Sequence, residues 1–252
     1  MRLTFLGTGT STGVPTLGCH CATCSSTDPH DHRTRSSIML EFDGRAVVID
    51  TTPDFRQQGL REQMTRLDAV VFTHTHADHI FGLDDVRVFN MRQKSPIPIY
   101  GDQQSIDSIR RIFTYIFEGN YAGGGLPRLD PRVIDGPFEL WGMMMVPLLV
   151  LHGELPVLGF RFGRAAYITD FSTIPEDTLA RLADLDVLIL DALRHRPHPT
   201  HSTLDHSLDL VERLKPRQAY FTHIAHELGH EQTNQNLPAY ARLAYDGLKL
   251  EL

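Results

Sequence analysis

Residues 68–79 read Asp-Ala-Val-Val-Phe-Thr-His-Thr-His-Ala-Asp-His, a short apolar run followed at once by three imidazoles and a carboxylate. The apolar run predicts a buried β-strand, which would hold the polar cluster rigidly. Imidazole and carboxylate groups are ligands that Zn²⁺ and Mn²⁺ accept in proteins. At a turn after the strand, His74 and His76 would point one way and Asp78 and His79 the other, which suits two ions side by side. The strand in front disfavours the alternative, a histidine-rich solvated loop.

The order His-x-His-x-Asp-His after a strand resembles the signature of the metallo-β-lactamase superfamily, a group of binuclear hydrolases. This resemblance implies an α/β fold of the αββα sandwich type, with two mixed β-sheets packed face to face and helices on the outside. It also implies that residues 1–252 form a single domain of that fold, with a zinc-binding loop insertion at about residues 15–35.

Composition limits the class of protein and its partners. With 252 residues, 41% hydrophobic and 22% charged, the chain has the make-up of a globular protein. Its formal net charge of −7 offers no basic footprint, so we expect no long nucleic acid as a partner. The sequence has no apolar run of membrane-spanning length, and residues 1–6 are too short for a signal peptide, so we expect no membrane contact and a cytoplasmic location.

All three cysteines lie within the motif Cys-His-Cys-Ala-Thr-Cys at residues 19–24. Such close spacing favours thiolate ligation of a metal over disulfides, in agreement with a reducing compartment. A structural zinc site needs four ligands, and this motif supplies three of them. The residues alone leave the fourth ligand open, since His20, His30 and His32 are near in sequence and His226 is distant. Three ordinary thiols in a loop are the alternative.

A hairpin is predicted before the histidine cluster. Its strands, 37–42 and 45–49, are joined by the turn signal Asp43-Gly44, and the second strand ends at Asp50. The glycine-rich loop at residues 7–13 lacks a Gly-Lys-Ser/Thr sequence, so we expect a tight loop there and not a nucleotide site.

Helix signals and apolar periodicity predict helices at 53–64, 103–117 and 203–214, and a last strand is predicted at 248–250. Ser202, with Asp205 three residues further on, predicts the N-terminal cap of the third helix. The glycine-rich stretch 119–127 is expected to be either a mobile loop on the substrate side or a plain connector.

Three later polar residues also follow apolar strands, and they are His152, Asp170 and His223. The resemblance, carried over residue by residue, implies two metal positions, one held by His74, His76 and His152 and the other by Asp78, His79 and His223. Asp170 would bridge them, because each of the two carboxylate oxygens can bind a cation. By the same resemblance, Asp50 supports the metal loop through hydrogen bonds and is not itself a ligand.

A narrower resemblance rests on Gly18-Cys19-x-Cys21-x-x-Cys24 near the N-terminus and Thr222-His223-x-x-His226 near the C-terminus. These motifs resemble those of the phosphodiesterase family of the bacterial carbon–phosphorus lyase pathway. The resemblance covers almost the whole chain. That resemblance implies a structural Zn²⁺ held by Cys19, Cys21, Cys24 and His226. It implies that His201 is an active-site histidine that acts as general acid or steadies the phosphate, and the expected catalytic residues are Asp78 and His201. It also implies a homodimer.

The expected function is hydrolysis of a small phosphodiester, such as a cyclic ribose phosphate or a cyclic nucleotide. Two divalent ions, Zn²⁺ or Mn²⁺, would hold a water between them as hydroxide at neutral pH and polarise the phosphoryl oxygen. No protein nucleophile is needed, and the sequence has no Gly-x-Ser-x-Gly motif to supply one. Arg194 or Arg196 is a candidate phosphate contact, with an exposed loop as the alternative.

Three other functions are compatible with these residues. The first is a tRNA 3′-processing endonuclease, which the acidic balance disfavours. The second is a protein like that of pyrroloquinoline quinone biosynthesis, which resembles this fold and its cysteine-rich loop without being a hydrolase. The third is a metal-binding scaffold without turnover, which would not need two ions. The complete two-metal ligand set favours hydrolysis.

Overall fold

The computed structural model of the chain describes residues 1–118 and 125–252. Within those residues it contains fourteen β-strands, in two sheets of seven, and eight α-helices. The strands are β1 (Arg2–Gly7), β2 (Ser37–Phe42), β3 (Arg45–Ile49), β4 (Ala69–Val71), β5 (Ile97–Gly101), β6 (Leu129–Val133), β7 (Phe138–Leu140), β8 (Met143–His152), β9 (Leu155–Phe162), β10 (Ala165–Ile168), β11 (Val187–Asp191), β12 (Gln218–Thr222), β13 (Ala241–Leu243) and β14 (Lys249–Glu251). The helices are α1 (Phe55–Arg61), α2 (Ala77–Ile80), α3 (Arg87–Gln93), α4 (Gln103–Ile112), α5 (Thr114–Phe117), α6 (Glu176–Ala180), α7 (Leu204–Leu214) and α8 (His230–Asn234), with short 3₁₀ turns at Pro29–Asp31 and Leu83–Val86.

Both sheets are mixed. The strand order is β14-β1-β2-β3-β4-β5-β6 in the first sheet and β13-β12-β11-β10-β9-β8-β7 in the second. In the first sheet β14, β1, β2 and β3 pair antiparallel and β3 to β6 pair parallel. In the second sheet β7 to β10 pair antiparallel and β10 to β13 pair parallel. Each sheet therefore has one antiparallel half and one parallel half.

Three hydrophobic clusters hold the layers together. The central cluster takes Phe5 and Leu40 from the first sheet and Phe160 and Tyr167 from the second, all fully buried, so it fills the space between the sheets. A second cluster lies between the first sheet and helices α1, α3 and α4. A third joins the second sheet to α6 and α7. This layering confirms the predicted αββα sandwich.

Polar residues follow the parallel strands of both sheets at one edge of the sandwich. Asp50 comes directly after β3, and Thr73 comes shortly after β4. In the second sheet Asp170 follows β10, Asp191 is the last residue of β11, and His223 follows β12. Because the carboxyl ends of parallel strands lie at the same edge of a sheet, these side chains meet there.

The hairpin before the histidine cluster is confirmed, and one helix cap is corrected. Asp43 and Gly44 have φ angles of 46° and 70°, the left-handed values that a two-residue hairpin turn requires. The cap of α7 is Thr203, whose hydroxyl accepts the backbone N–H of His206 at 3.1 Å. The predicted cap, Ser202, lies one residue too early, and its hydroxyl contacts a neighbouring serine side chain instead.

Two predicted helices have different lengths in the structure. The helix predicted at 103–117 is interrupted, because Phe113 leaves the helical region with φ −106° and ψ 45° and places its ring in the cluster beneath the first sheet. The helix predicted at 53–64 is the shorter α1. At the C-terminus, β14 lies one residue later than predicted, and β13 was not predicted.

The glycine-rich stretch expected at 119–127 falls largely on residues 119–124, which lie outside the described residues. No helix in the described part of the chain is long and apolar enough to cross a membrane.

Candidate metal centres and active site

Asp50 holds the histidine motif in place from below. Its carboxylate is fully buried and accepts the backbone N–H of Thr73 at 2.9 Å and the Thr73 hydroxyl at 2.8 Å. It also lies 2.7 Å from Nδ1 of His79. That contact places the ring proton on Nδ1 and leaves Nε2 of His79 free to face the edge of the sandwich. Asp50 thus has the supporting contacts that the sequence comparison implied.

Four of the predicted ligands converge on one point, and they are Asp78, His79, Asp170 and His223. Nε2 of His79 lies 3.4 Å from a carboxylate oxygen of Asp78 and 3.4 Å from one of Asp170. Nε2 of His223 lies 3.4 Å from the same Asp170 oxygen and 3.8 Å from Asp78. Two ligand atoms that each bind a Zn²⁺ ion at about 2.1 Å in tetrahedral geometry are about 3.4 Å apart. The spacing is therefore that of ligands around one ion.

The remaining predicted ligands lie on the other side of Asp170. Nε2 of His74 is 3.0 Å from Nδ1 of His76 and 3.8 Å from a carboxylate oxygen of Asp170. The rings of His76 and His152 are 5.1 Å apart, and Nδ1 of His152 donates to the backbone carbonyl of Thr200 at 2.8 Å. His76 is exposed, so this side of the cluster opens to solvent. The structure thus brings together all seven residues, which we call the histidine–carboxylate centre.

The chemistry of this centre fits divalent cations. Nε2 of His79 and Nε2 of His223 are buried and have no hydrogen-bond partner among the described residues. Burying a polar atom without a partner is costly, and a cation between these nitrogens and the carboxylates would remove that cost. Backbone strain collects at the same place, since Asp50, Asp170 and His223 have φ angles of 67°, 52° and 56°.

Electrostatics differ between the two sides of Asp170. Burial opposes protonation of His79 and His223, but the carboxylates around them outweigh it, raising the pKa of His79 well above its usual value and that of His223 to about 9. Burial raises the pKa of Asp170 less than the neighbouring imidazoles lower it, so Asp170 stays ionised. Burial lowers the pKa of His152 to about 4, so His152 is neutral near pH 7. A cation that binds His79 and His223 would therefore have to displace protons from them.

Asp191 is a residue that the sequence did not reveal as functional. Its carboxylate is fully buried at the end of β11 and lies 2.8 Å from Nδ1 of His201. The ring of His201 stacks on His223 at 4.6 Å and lies 4.5 Å from His152. His201 is therefore held against the metal ligands with Nδ1 engaged and Nε2 available. The sequence did contain a signal for Asp191, namely a carboxylate at the end of a buried apolar strand, which is also the position of Asp50.

The loop between β11 and α7 orders its arginines internally. Arg194 donates to the backbone carbonyls of Arg196 and Pro197, both at 3.1 Å, and Arg196 pairs with the carboxylate of Glu227. These contacts favour the exposed-loop interpretation of both arginines. His198 follows them, and burial, together with His201 and Arg194, lowers its pKa.

A second group of metal-binding side chains lies beside this edge. Nδ1 of His226 is 3.2, 3.3 and 3.5 Å from the sulfurs of Cys19, Cys21 and Cys24. The backbone N–H of Cys24 lowers the pKa of Cys21 to about 6, whereas burial raises that of Cys24 to about 11. We call these four residues the cysteine centre.

Two of the histidines near the cysteines in sequence, His30 and His32, are engaged elsewhere, and the third, His20, is exposed. Nδ1 of His30 pairs with Asp28 at 2.9 Å, and the His30 ring stacks on His230. Nε2 of His32 lies 3.1 Å from the backbone carbonyl of Ser26. Among the described residues, the histidine that joins the three sulfurs is the distant His226.

Arg33 is a second residue whose place the sequence did not predict. It is only 2% exposed, and its guanidinium donates to the carbonyl of Ala244 at 2.6 Å, to the Thr8 hydroxyl at 3.1 Å and to Nδ1 of His230 at 3.1 Å. Its backbone pairs with Val14 through bonds of 2.7 and 2.9 Å. Arg33 thus fastens both ends of the cysteine-bearing loop to the body of the fold.

Comparisons with known proteins agree with this architecture. Residues 45–224 match the profile of the Beta-lactamase superfamily domain. A crystal structure described as a new diphosphatase from the PhnP family is 51% identical, with a TM-score of 0.93 over 99% of this chain and 97% of that chain. Zn²⁺-bound PqqB from Methylobacterium extorquens is 21% identical, with a TM-score of 0.84 over 100% of both chains, which shows a shared fold.

A curated relative is longer than this chain. An octanoyltransferase of Porphyromonas gingivalis is 38% identical over 99% of this chain, and this chain spans 51% of that protein. The relationships establish the fold and the family, and the fold implies divalent metal ions. The profile match and the 51% identity over 97% of a PhnP-family structure show that this chain belongs to the metallo-β-lactamase superfamily and, within it, to the PhnP family.

Proposed function

We propose that the chain is a binuclear metal-dependent phosphodiesterase acting on small phosphodiesters, such as cyclic ribose or cyclic nucleotide phosphates. The observation that carries this proposal is the pair of unpartnered Nε2 atoms of His79 and His223. Both face the carboxylates of Asp78 and Asp170 at distances of 3.4 to 3.8 Å. His201 lies beside them with one nitrogen fixed by Asp191.

The residues on the two sides of Asp170 would hold one ion each. His74, His76 and His152 would hold the first, and Asp78, His79 and His223 the second, with Asp170 shared. When bound, two such ions supply Lewis acidity toward a phosphoryl oxygen and lower the pKa of a water molecule. The cysteine centre would hold a structural Zn²⁺ outside the reaction.

The proton for the leaving group comes from His201 in this proposal. The oxygen of a water molecule forms a new bond to phosphorus and gives up a proton to the solvent, while the P–O bond to the leaving group breaks and its electron pair goes to the leaving oxygen. Nε2 of His201 donates its proton to that oxygen. Asp191 keeps the other ring nitrogen protonated and holds the ring in position at 2.8 Å. His201 is catalytic here, and Asp191 is a positioning residue.

The size and class of the substrate follow from charge and chemistry. The net charge of −7 supports a small substrate over a long nucleic acid. The PhnP-family relative is described as a diphosphatase. A phosphodiester and a diphosphate diester both present a phosphorus atom with two bridging substituents and two free oxygens. One arrangement of metals and acid can therefore act on both.

Turnover of bis(p-nitrophenyl) phosphate by metal-loaded protein tests this proposal. We expect release of p-nitrophenolate by the wild type, and loss of that release when Asp78→Asn removes one candidate ligand. An inactive wild-type protein with a full metal complement would overturn the proposal. A gel assay with precursor tRNA in the same preparation would show whether the chain acts as a tRNA endonuclease instead. Bound iron together with redox activity would favour a role like that of the protein of pyrroloquinoline quinone biosynthesis.

A second candidate function rests on the octanoyltransferase relative, in which a region similar to this chain occupies half of a longer protein. We propose hydrolysis of an octanoyl ester as that alternative. Release of p-nitrophenolate from p-nitrophenyl octanoate, with none from the phosphodiester, would favour it.

A further inference from the structure

His198 occupies an unusual position in the loop between β11 and α7. Its ring lies 5.0 Å from that of His201, which in turn contacts His152 and His223. His198 is therefore the outer member of a row of imidazoles that leads away from the histidine–carboxylate centre. It is only partly buried.

The proton on His198 is placed by Thr200. The backbone N–H of Thr200 lies 3.3 Å from Nδ1 of His198, and the Thr200 hydroxyl lies 3.2 Å from the same atom. A backbone N–H can only donate, so Nδ1 is the acceptor, and in the neutral ring the proton is on Nε2. No residue in the described part of the chain makes a hydrogen bond to that Nε2.

The backbone around His198 is also restrained. Pro197 and Pro199 stand on either side of it, and proline restricts both its own φ angle and the conformation of the residue before it. Arg194 fastens the start of this segment by donating to the Pro197 carbonyl at 3.1 Å. A rigid, partly exposed donor loses little conformational entropy when it binds an acceptor.

The surroundings favour an anionic acceptor. Residues 194–201 contain two arginines and three histidines and no acidic residue, in a chain whose net charge is −7. Glu227 neutralises Arg196, and Arg194 donates to carbonyls of the loop itself, whereas Nε2 of His198 has no hydrogen-bond partner among the described residues. The rings of His198 and His201 are 5.0 Å apart, so a group bound by His198 would stand next to the residue that we propose as general acid.

We propose that His198 is a specificity-determining residue whose Nε2–H binds an anionic phosphate oxygen on the leaving group of the substrate. This inference rests on the proposed function, in which His201 protonates the leaving oxygen. It predicts that a substrate with a second phosphate, on the leaving-group side, binds better than one without.

The test compares two ligands that differ in the second phosphate. The β-methyl ester of adenosine diphosphate and the methyl ester of adenosine monophosphate would each compete with bis(p-nitrophenyl) phosphate, and their inhibition constants would be measured whether or not they are cleaved. In the wild type we expect the diphosphate to bind more tightly. Because a hydrogen bond to a charged group contributes on the order of a tenfold difference in binding, His198→Ala should reduce that advantage by about tenfold.

Two further variants separate contact from structure. In His198→Gln the amide nitrogen stands near the position of Nε2, so we expect it to recover part of the advantage. His195→Ala removes an exposed histidine of the same loop and should change neither constant. The kcat for bis(p-nitrophenyl) phosphate should stay within about twofold of the wild type in His195→Ala, which controls for a general disturbance of the loop.

Equal inhibition constants for the diphosphate in wild type and His198→Ala would overturn the inference, as would an equal weakening of both ligands. The proposed function fails separately, through absence of bis(p-nitrophenyl) phosphate turnover in the wild type.

Discussion

The two candidate metal centres of this chain are built in opposite ways. The histidine–carboxylate centre lies at strand ends, and its side chains are oriented by protein groups such as Asp50, Asp191 and the carbonyl of Thr200. The cysteine centre lies on a loop with little regular structure, and Cys19 and Cys21 are only partly buried. In the first case the fold positions the ligands. In the second, the ligands position the loop.

This difference predicts what a metal does in each place. A centre that the fold already orients needs its ions for chemistry, and losing them leaves the sandwich intact. A loop without its own core depends on cross-links, here Arg33 at its end and a metal in its middle, so losing the metal costs stability.

The largest effect is expected from Asp170→Asn. The amide cannot bridge two cations as the carboxylate can, so turnover should fall to the background of the assay and the active-site ions should be lost. The single Zn²⁺ of the cysteine centre should remain, as measured by elemental analysis. Asp177→Asn, at an exposed position on α6, is the matched control. Retention of both active-site ions by Asp170→Asn would contradict the proposal that Asp170 bridges them.

His201→Ala should lower kcat by about 10²- to 10⁴-fold for a substrate with an alkyl leaving group, because an alkoxide needs a proton as it departs. The loss should be smaller for p-nitrophenolate, which leaves without protonation. Metal content should not change. A parallel loss of metal and turnover would mean that His201 is a ligand and not an acid.

Cys21→Ser should remove one Zn²⁺ per chain and leave the active-site ions and kcat close to the wild type. A loss of about 2 kcal/mol would lower the melting temperature by about 4–8 °C for a chain of this size. Ser25→Ala, an exposed residue of the same loop, should melt like the wild type. An unchanged melting temperature together with full zinc content would contradict the structural role of the cysteine centre.

The pH dependence of metal binding sharpens the comparison within the first centre. Nearby carboxylates, opposed by burial, raise the pKa of His223 to about 9, and only neutral imidazole binds a metal. Below that pH an incoming ion must displace a proton, so the apparent affinity should rise with pH by about tenfold per unit for each proton displaced. Titration of metal-free protein with Mn²⁺ at several pH values measures this change of affinity with pH. An affinity that does not change with pH would contradict the protonated state of His223.

The sandwich, the histidine motif and the cysteine motif could be predicted because their signals are local, whereas His226 as the fourth member of the cysteine centre came from the resemblance. A strand followed by His-x-His-x-Asp-His places ligands by its own geometry, and the same holds for an apolar strand followed by Asp170 or His223. The fold, the family and the hairpin turn at Asp43 were correct for this reason. The convergence of seven side chains from both sheets required the resemblance, since spacing alone does not set contacts between distant strands.

The partners of Asp191 and Arg33 could not be predicted, because they depend on tertiary contacts. Asp191 meets a histidine ten residues later across a loop, and Arg33 meets Ala244 at the other end of the chain. The break at Phe113 has the same origin, since packing of one ring overrides helical periodicity. The local pattern favours Ser202 as the cap, because Asp205 follows it three residues later while His206 follows Thr203, yet the hydroxyl that caps α7 is that of Thr203.

The most direct test of the two-centre account is the metal content of wild-type protein and Cys21→Ser, determined by elemental analysis on samples whose bis(p-nitrophenyl) phosphate turnover is measured in parallel. The account predicts about three ions per wild-type chain, about two in the variant, and similar turnover in both. One ion per wild-type chain without turnover would contradict it, because only the cysteine centre would then bind metal.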